Sequence, residues 1–383
     1  MTDHTAAPAM GAPEKPATKP ARPHFSSGPC AKPPGYDPAK LATDVLGRSH
    51  RSKLGKQRLL YCIDLMRELL RLPNTHRIGI VPGSDTGAYE MAMWTMLGAR
   101  PVTALAWESF GEGWVTDAVK QLKIDPTVIR ADYGQLPDLT QVDWSNDVLF
   151  TWNGTTSGVR VPNGDWIADD REGLSFADAT SGVFAYDLPW DKIDVATFSW
   201  QKVLGGEGAH GVLILGPRAV ERLESYTPAW PLPKVFRLTS KGKVSEGIFK
   251  GETINTPSML AVEDAIWSLE WAKSLGEGGL IARSDANAAA LDRIVAERDW
   301  LGHLAEDEAS RSKTSVCLTV AGADEGIIKK MASLLEAEGA AYDIAGYRDA
   351  PPGLRIWCGA TVDTADVEAL GPWLDWAYAQ ARG

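Results

Sequence analysis

Short apolar runs of strand character alternate with helical stretches along most of this chain, and that alternation constrains the fold more than any other feature. The strand-like runs include RIGIVPG, VTALAW, DVLFTW, LSFADA, VATFSW and HGVLILG. Stretches such as AYEMAMWTML and WVTDAVKQL, whose apolar period is close to that of a helix, separate several of these runs. Strands that alternate with helices indicate a largely parallel sheet covered by helices on both faces. We therefore predict an α/β fold.

Changes in this pattern divide the chain into four parts. Residues 1–22 are rich in Ala, Pro and Lys and lack the apolar region of a signal peptide, which predicts a disordered leader. A segment over 23–57 leads into a large α/β domain over 58–275, and the elements of 276–383 predict a smaller α+β domain. Residues 226–256 break the alternation with prolines and glycines, and an irregular stretch of that length is usually functional or part of an interface.

Composition limits the classes of partner that we expect. The chain has 383 residues, of which 44% are hydrophobic and 23% charged, as in ordinary soluble globular proteins. Its net charge of -11 repels phosphate backbones and anionic lipids, so neither nucleic acid nor membrane is predicted as a partner. The four cysteines are scattered, without the spacing of metal ligands, which predicts reduced thiols in a cytoplasmic protein and no metal site.

Lys202 stands at the end of a predicted buried strand, in the segment FSWQKVLGGEG. A free lysine amine has a pKa of about 10.4, and desolvation or a neighbouring cation lowers that pKa enough for Schiff-base chemistry. The glycines that follow would let the chain turn at the carboxyl edge of the sheet, where open α/β sheets bind ligands. For an isolated lysine, however, extension from a strand end into solvent is the commoner explanation.

Two other strand ends carry residues that suit a phosphorylated ring. Asp178 ends the run LSFAD, and a carboxylate there could keep a pyridine nitrogen protonated, as pyridoxal phosphate requires. Its alternative role is an Asx-turn or a helix cap. In VPGSDTGAYE a strand runs through small residues directly into a helix, whose free N–H groups could hold a phosphate. A plain turn in which Ser84 or Thr86 caps the helix explains that motif equally well.

Three basic residues and one tryptophan complete the set of candidates. His50 and Arg51, in SHRSK, and Arg355, in LRIW, could bind carboxylate or phosphate groups, because arginine binds such groups through two parallel hydrogen bonds. Taken singly, each is better explained as solvated charge or as part of an ion pair. Trp114 opens a predicted helix and could stack on a flat cofactor ring, or it could simply pack in the core.

The motifs FSSGPC, SHRSK, GSDTGAYE, NGTTSG, FADATSG, FSWQK and INTPS, in this order, resemble the phosphoserine aminotransferase family over about residues 25–360. That family is a class V branch of the fold-type-I enzymes that use pyridoxal 5'-phosphate. The resemblance implies a large, mostly parallel sheet domain, a smaller α+β C-terminal domain and a homodimer with shared active sites. Trp200, the GGEGAHG loop and the GSDTG turn depart from the commoner family pattern, which indicates a divergent branch.

The resemblance also implies a role for each motif residue. Lys202 would carry the cofactor as a Schiff base and move the proton of transamination, and Asp178 would pair with the ring nitrogen. The other implied cofactor-binding residues are Trp114 against the ring, Thr155 at its 3-hydroxyl, Ser84, Asp85 and Gln201 at the phosphate, and Asn255 and Thr256 at the phosphate of the neighbouring subunit. His50 and Arg51 would bind the distal anionic group of the substrate, and Arg355 its α-carboxylate.

The implied reaction transfers the amino group of L-glutamate to 3-phosphohydroxypyruvate and gives O-phospho-L-serine and 2-oxoglutarate, a step of serine biosynthesis. The same chemistry on a related phosphorylated 2-oxo acid would serve pyridoxine biosynthesis. A class V aminotransferase that acts on serine or alanine with glyoxylate is the nearest alternative, although it needs no distal phosphate site such as His50 and Arg51. A cysteine desulfurase would need a cysteine in a loop near the site. A non-catalytic protein of the same fold would not need the complete set of Lys202, Asp178 and Trp114.

Overall fold

The computed structural model describes residues 14–383, and a seven-stranded sheet is its largest element. The strands are β1 (Arg77–Pro82), β2 (Val102–Ala106), β3 (Thr127–Arg130), β4 (Asp147–Thr151), β5 (Ser175–Asp178), β6 (Val195–Ser199) and β7 (His210–Leu215). Their order across the sheet is β1-β7-β6-β5-β4-β2-β3. The strands from β6 to β3 in this order are parallel, which confirms the predicted α/β fold with a mostly parallel sheet.

Strand β7 departs from the parallel arrangement, since it runs antiparallel to both β6 and β1. The connection from β6 to β7 is a short loop over residues 200–209, which includes the GGEG glycines and has no crossover helix. A parallel neighbour needs such a crossover, whereas an antiparallel neighbour does not. The same short loop keeps Lys202 at the carboxyl end of β6.

Helices cover the two faces of this sheet. They are α1 (Lys53–Leu69), α2 (Ser84–Met96), α3 (Ser109–Thr116), which continues into a π-helical turn (Asp117–Gln121), α4 (Pro217–Ser225) and α5 (Met259–Ser274). Side chains of α1 and α5 form one apolar cluster with Val212 and Ile214, and those of α2, α3 and α4 form another with Leu213 and Leu215. Successive residues of β7 point to opposite faces, so each face of the sheet has its own core.

The predicted irregular segment 226–256 contains only a short hairpin, β8 (Thr239–Ser240) and β9 (Lys243–Val244), and 3-10 turns. It packs against α2, where the Trp230 indole N–H donates a hydrogen bond to the carbonyl of Trp94 at 2.8 Å. The ring of Phe236 lies edge-on to the Trp94 ring, with 5.9 Å between the centroids. This segment therefore covers the face of α2 that points away from the sheet.

A second, three-stranded antiparallel sheet follows α5. Its strands are β10 (Leu301–His303), β11 (Ser315–Val320) and β12 (Gly353–Trp357), and the helices are α6 (Gly279–Ala296), α7 (Glu325–Ala337) and α8 (Thr364–Arg382). The boundary predicted at residue 275 falls between α5 and α6. Within residues 14–383, the helices are all too short or too polar to cross a membrane.

The prediction of a disordered leader does not hold for residues 14–22, which contact α8. The Trp373 indole N–H donates a hydrogen bond to the carbonyl of Thr18 at 2.7 Å, and the backbone N–H of Ala21 donates one to Asp366 at 2.6 Å. Low apolar content predicts that a segment forms no core of its own. It does not predict that side chains of a distant helix will bind its extended backbone. Residues 1–13 of the predicted leader lie outside the described residues.

Candidate active site

A cavity of about 430 Å³ lies at the carboxyl ends of the parallel strands. Strands β4 and β5 reach it with their last residues, Thr151 and Asp178, and the turn after β6 brings Gln201 and Lys202. This edge is where ligands of open α/β sheets bind. The cavity brings together the following predicted site residues: Ser84, Asp85, Trp114, Thr155, Asp178, Gln201 and Lys202.

Lys202 is buried, with 8% of its surface exposed, so the alternative of a lysine extended into solvent does not hold. Its amine donates a hydrogen bond to the carbonyl of Ser27, in the FSSGPC motif. Burial lowers the pKa of the Lys202 amine, and the positive charge of Arg355 lowers it further. A Cβ added at Gly28 would lie too close to the Lys202 Nζ, so the amine would have to move from its present position. A buried amine of lowered pKa suits covalent catalysis.

Two hydrogen bonds orient the Asp178 carboxylate. The Trp114 indole N–H donates to Oδ2 at 3.2 Å, and the backbone N–H of Thr180 donates to Oδ1 at 3.1 Å. The second bond is the local one that the Asx-turn interpretation predicts, so that interpretation and a functional one are compatible here. N–H donors favour the ionised form of a carboxyl group.

Helix α2 begins at the cavity, at the GSDTG turn. Gly83 and Ser84 both have left-handed backbones, with φ of 86° and 54°, and Gly83 in the N-cap position provides no side-chain hydrogen bond. Capping by Ser84 or Thr86, the alternative explanation of this motif, is therefore not what the structure has. The first turn of a helix leaves N–H groups without intrahelical partners, and these groups together with the helix dipole form an anion site.

Several buried polar atoms around the cavity have no hydrogen-bond partner among residues 14–383. They are Oδ1 of Asp85, Oγ1 of Thr151, Oγ1 of Thr180 and Oε1 of Gln201. Buried polar groups are normally paired, so this concentration indicates a polar ligand. A buried amine, an oriented carboxylate, an indole ring and a helix N-terminus together fit pyridoxal 5'-phosphate, and the volume is that of a small-molecule site.

Five predicted residues do not line this cavity: His50, Arg51, Asn255, Thr256 and Arg355. His50 and Arg51 line a separate cavity of about 260 Å³ next to Lys56. Asn255 and Thr256 are exposed in the loop before α5. Helix α5 begins after this loop, with Ser258 as its N-cap, whose hydroxyl accepts a hydrogen bond from the backbone N–H of Ala261 at 3.3 Å.

Arg355 lies in β12, behind the cavity wall. It does not line the cavity, yet it is close enough for its charge to act on the Lys202 amine. Its Nε is buried without a partner in the described part of the chain, and its guanidinium lies 5.6 Å from the centroid of the Tyr347 ring. Tyr347 in turn lies 5.9 Å from Phe110, which lines the cavity.

Glu108 is a cavity residue that sequence reasoning did not find. It is 4% exposed and accepts hydrogen bonds from the backbone N–H of Gly111 at 2.7 Å and from the Thr156 hydroxyl at 2.8 Å. Burial raises the pKa of this carboxyl to about 7. The available signal was its position before the predicted α3, because an oxygen-bearing side chain there often caps the helix.

The chain is 59% identical over 366 residues to the phosphoserine aminotransferase of Methanosarcina barkeri, covering 95% of this chain and 99% of the relative. The phosphoserine aminotransferase of Methanosarcina mazei matches equally well. The chain belongs to the phosphoserine aminotransferase family. No protein-family model matches the chain. Membership confirms the predicted family, the aminotransferase class and pyridoxal 5'-phosphate as cofactor.

Solved structures support the fold of this phosphoserine aminotransferase family member. The enzyme of Cytophaga hutchinsonii has a TM-score of 0.79 at 19% identity, covering 92% of this chain and 98% of that chain. The ureidoglycine-glyoxylate aminotransferase of Bacillus subtilis has a TM-score of 0.78 at 14% identity, covering 96% of both chains. Because both enzyme types share the fold, the fold alone does not discriminate between phosphorylated substrates and glyoxylate.

Proposed function

We propose that this chain transfers the amino group of L-glutamate to 3-phosphohydroxypyruvate, with pyridoxal 5'-phosphate bound in the 430 Å³ cavity. The observation that carries the proposal is the convergence of Lys202, Asp178 and the N-terminus of α2 on that one cavity. The identity of 59% with two named phosphoserine aminotransferases favours the phosphorylated substrate over glyoxylate.

Each group that surrounds the cavity has a distinct task in this proposal. Bound pyridoxal phosphate supplies an electron sink that makes the Cα proton of an amino acid acidic. Lys202 anchors the cofactor and then, as a free amine, moves that proton between Cα of the amino acid and C4' of the cofactor; its lowered pKa favours the unprotonated amine that accepts the proton. Asp178 keeps the ring nitrogen protonated. Trp114 and Thr155 line the same cavity, where Trp114 would pack against the ring and Thr155 would hydrogen-bond its 3-hydroxyl.

The phosphate of the cofactor would be bound by backbone N–H groups at Ser84 and Asp85 and by Gln201, once the Ser84 N–H leaves the carbonyl of Ala209, to which it donates at 3.4 Å. The side-chain oxygen Oε1 of Gln201 is buried without a hydrogen-bond partner in the described part of the chain, so this amide has no competing contact there. A helix N-terminus and an amide supply only partial charges, so a dianion there needs further donors. We propose that Asn255 and Thr256 of a second subunit provide them.

The charge around the cavity supports a homodimer with shared sites. Asp85, Glu108, Asp178 and Glu207 line the cavity, and within residues 14–383 Lys202 is the one basic residue that does. A substrate with two anionic ends needs more cations than this. We propose Arg355 for the α-carboxylate and the second subunit's His50 and Arg51 for the distal phosphate.

Exposed apolar side chains support the same assembly. Leu60 and Tyr61 of α1 are each 37% exposed, and Leu260 at the start of α5 is 51% exposed. Helices α1 and α5 pack against each other, so these side chains occur on adjacent elements. They lie close in sequence to the predicted intersubunit residues at positions 50–51 and 255–256, and exposed apolar groups of this kind favour burial between subunits.

The proposal also covers the cellular compartment of the enzyme and the pathways in which it acts. We propose a cytoplasmic enzyme of serine biosynthesis that also acts in pyridoxine biosynthesis. The four cysteines are free and buried, which suits a reducing compartment. Transamination of the pyridoxine precursor, a phosphorylated 2-oxo acid, would need no residue beyond those named for phosphoserine.

Visible absorbance spectroscopy tests the reaction. The cofactor absorbance of the purified holoenzyme should bleach with L-glutamate and return with 3-phosphohydroxypyruvate. Borohydride should fix the cofactor on Lys202, so a Lys202→Ala variant should carry no label, whereas Lys192→Ala should be labelled like wild type. Faster turnover of glyoxylate than of 3-phosphohydroxypyruvate, or label on another lysine, would contradict the proposal.

Subunit mixing tests the shared site. Lys202→Ala and Arg51→Ala chains should each be inactive alone. When the two variants are mixed at random, half of the dimers are hybrids. In each hybrid, one site combines Lys202 of the Arg51→Ala chain with Arg51 of the Lys202→Ala chain, and the other site lacks both residues. Mixing should therefore restore about a quarter of the wild-type activity if Arg51 acts across the interface. No recovery would place Arg51 in its own subunit's site.

A further inference from the structure

Asp85 has a side chain for which the proposed cofactor site gives no role. The phosphate needs only the backbone N–H at this position, in the first turn of α2. Yet the carboxyl group is 7% exposed, lines the same cavity as Asp178 and has an Oδ1 without a hydrogen-bond partner in the described part of the chain. An ionised carboxylate in that position would be costly, since burial removes its water and only the hydroxyls of Thr180 and Thr197 act in its favour.

Packing of α2 on the sheet brings Asp85 next to Asp178. Tyr89 follows Asp85 by one helical turn on the same face, and its hydroxyl donates a hydrogen bond to the carbonyl of Phe176 at 3.1 Å. Phe176 precedes Asp178 by two residues on β5, so their side chains point to the same side of the sheet. Trp114 joins the two elements, because its ring lies 4.5 Å from that of Tyr89 and its N–H binds Asp178.

Two neighbouring buried carboxyl groups cannot both ionise at low cost, so they hold one proton between them. Burial, followed by the charge of Asp178, raises the pKa of Asp85 well above its usual range. Asp178, by contrast, accepts hydrogen bonds from two N–H groups, whereas no N–H group donates to Oδ1 of Asp85 in the described part of the chain. The proton therefore belongs on Asp85, and a bound phosphate at the same helix end would add a further reason for Asp85 to stay neutral.

We propose that Asp85 is a positioning residue whose protonated carboxyl donates a hydrogen bond to Asp178 and holds that carboxylate toward the ring nitrogen of the cofactor. The oxygens of Asp178 accept one N–H each, so each has capacity for a second donor. A neutral donor has an advantage over lysine or arginine here, because it orients Asp178 without cancelling the charge that the ring nitrogen needs. The inference rests on the proposed function and deepens it.

Infrared spectroscopy tests the protonation of Asp85 directly, with and without cofactor. At about pH 9, where Glu108 is ionised, we expect the carbonyl band of a protonated carboxylic acid in wild-type protein. The band should vanish in Asp85→Asn and persist in the control Glu108→Gln. Absence of the band from wild type, or its persistence in Asp85→Asn, would overturn the inference. Because the cofactor-free protein gives the same readout, this result does not depend on which substrate the enzyme uses.

A pair of substitutions tests positioning. Asparagine retains an N–H donor at this site, whereas leucine has similar size and no donor. We expect Asp85→Asn to keep kcat within about twofold of wild type and Asp85→Leu to lower kcat about tenfold or more, with KM for L-glutamate unchanged. The pH midpoint of the cofactor absorbance should shift only in the leucine variant. Equal kcat and equal midpoints in the two variants would refute positioning. If the leucine variant does not fold, the infrared comparison of wild type with Asp85→Asn decides the inference.

Discussion

Glu108 offers the most quantitative test of the electrostatics around the cavity. Its carboxyl is 4% exposed and accepts hydrogen bonds from Gly111 and Thr156, and burial raises its pKa from 4.5 to about 7. Glutamine has the same shape, keeps an acceptor for the Gly111 N–H and can donate to the Thr156 hydroxyl, but it cannot ionise. We predict that Glu108→Gln changes the pH dependence of the free energy of unfolding more than its value at low pH.

The direction follows from proton linkage. An acid with a raised pKa in the native state binds its proton more tightly there than in the unfolded chain, so wild-type stability falls as pH rises from 4.5 through 7. A pKa difference of about 2.5 corresponds to about 3.4 kcal/mol in full, and to about 2.5 kcal/mol between pH 5 and pH 8.5. Glutamine lacks this contribution. The free energy of unfolding of the variant relative to wild type should therefore rise by about 2.5 kcal/mol over that interval.

Urea unfolding of both holoenzymes at the two pH values, followed by tryptophan fluorescence, measures this change. All other titrating groups are common to the two proteins, and their contributions cancel in the difference. The control is Glu112→Gln, since Glu112 is an exposed residue of the same helix that pairs with Arg130. A difference between wild type and Glu108→Gln that stays constant from pH 5 to pH 8.5, or that falls with pH, would refute the reasoning.

Three further predictions concern other buried contacts. Gly28→Ala should lower kcat more than tenfold in a coupled transamination assay, because the added methyl collides with the Lys202 amine. Arg222→Leu should reduce the free energy of unfolding by about 3–5 kcal/mol in urea, since Asp147 is fully buried and would lose the guanidinium that binds it at 2.7 Å. Burial lowers the pKa of His210 below 6.5, so wild-type stability should fall as pH falls below 6.5. The Tm of His210→Gln should therefore lie less far below the wild-type Tm at pH 5.5 than at pH 7.5.

Matched controls accompany these three variants. At Gly113 an added Cβ meets no atom within 4 Å, so Gly113→Ala should keep its activity. Arg293 pairs with Glu368 at the surface, so Arg293→Leu should cost less than about 1 kcal/mol. His24 is exposed, so His24→Gln should follow wild type at both pH values. Equal effects of a variant and its control would contradict the corresponding prediction.

The sequence predicts the sheet well where apolar runs are long and buried. Strands β4, β5 and β6 are buried along their whole length, and such runs are distinct in a sequence. The edge strand β3 has four residues of which none is buried, and it gave no signal. The antiparallel direction of β7 was not predicted either, since periodicity carries no information on strand direction.

Motifs that end strands predicted which residues share one cavity, as with Lys202 and Asp178. The role of a carboxyl group was not predictable, because it depends on neighbours that only the fold supplies. In the sequence Asp85 resembles an ordinary polar residue of a turn, yet the packing of α2 on β5, through Tyr89, places it on the same cavity as Asp178. Glu108 likewise has no sequence signal that separates a solvated carboxylate from one with a pKa of about 7.

The acidic lining of the cavity has a consequence for the assembly. Lys202 is the one basic residue among residues 14–383 that lines the cavity, and Asp178 and Glu207 remain beside it when Asp85 and Glu108 are protonated, so a single chain supplies few cations for a doubly anionic substrate. If the distal anion depends on Arg51 of the second subunit, then separation of the subunits should abolish substrate binding while each chain keeps its sheet and its core. Activity should then fall on dilution together with dimer content, measured by sedimentation, before any change in far-ultraviolet circular dichroism. Activity that persists in the separated monomer would mean that the cavity obtains its cations from within one chain.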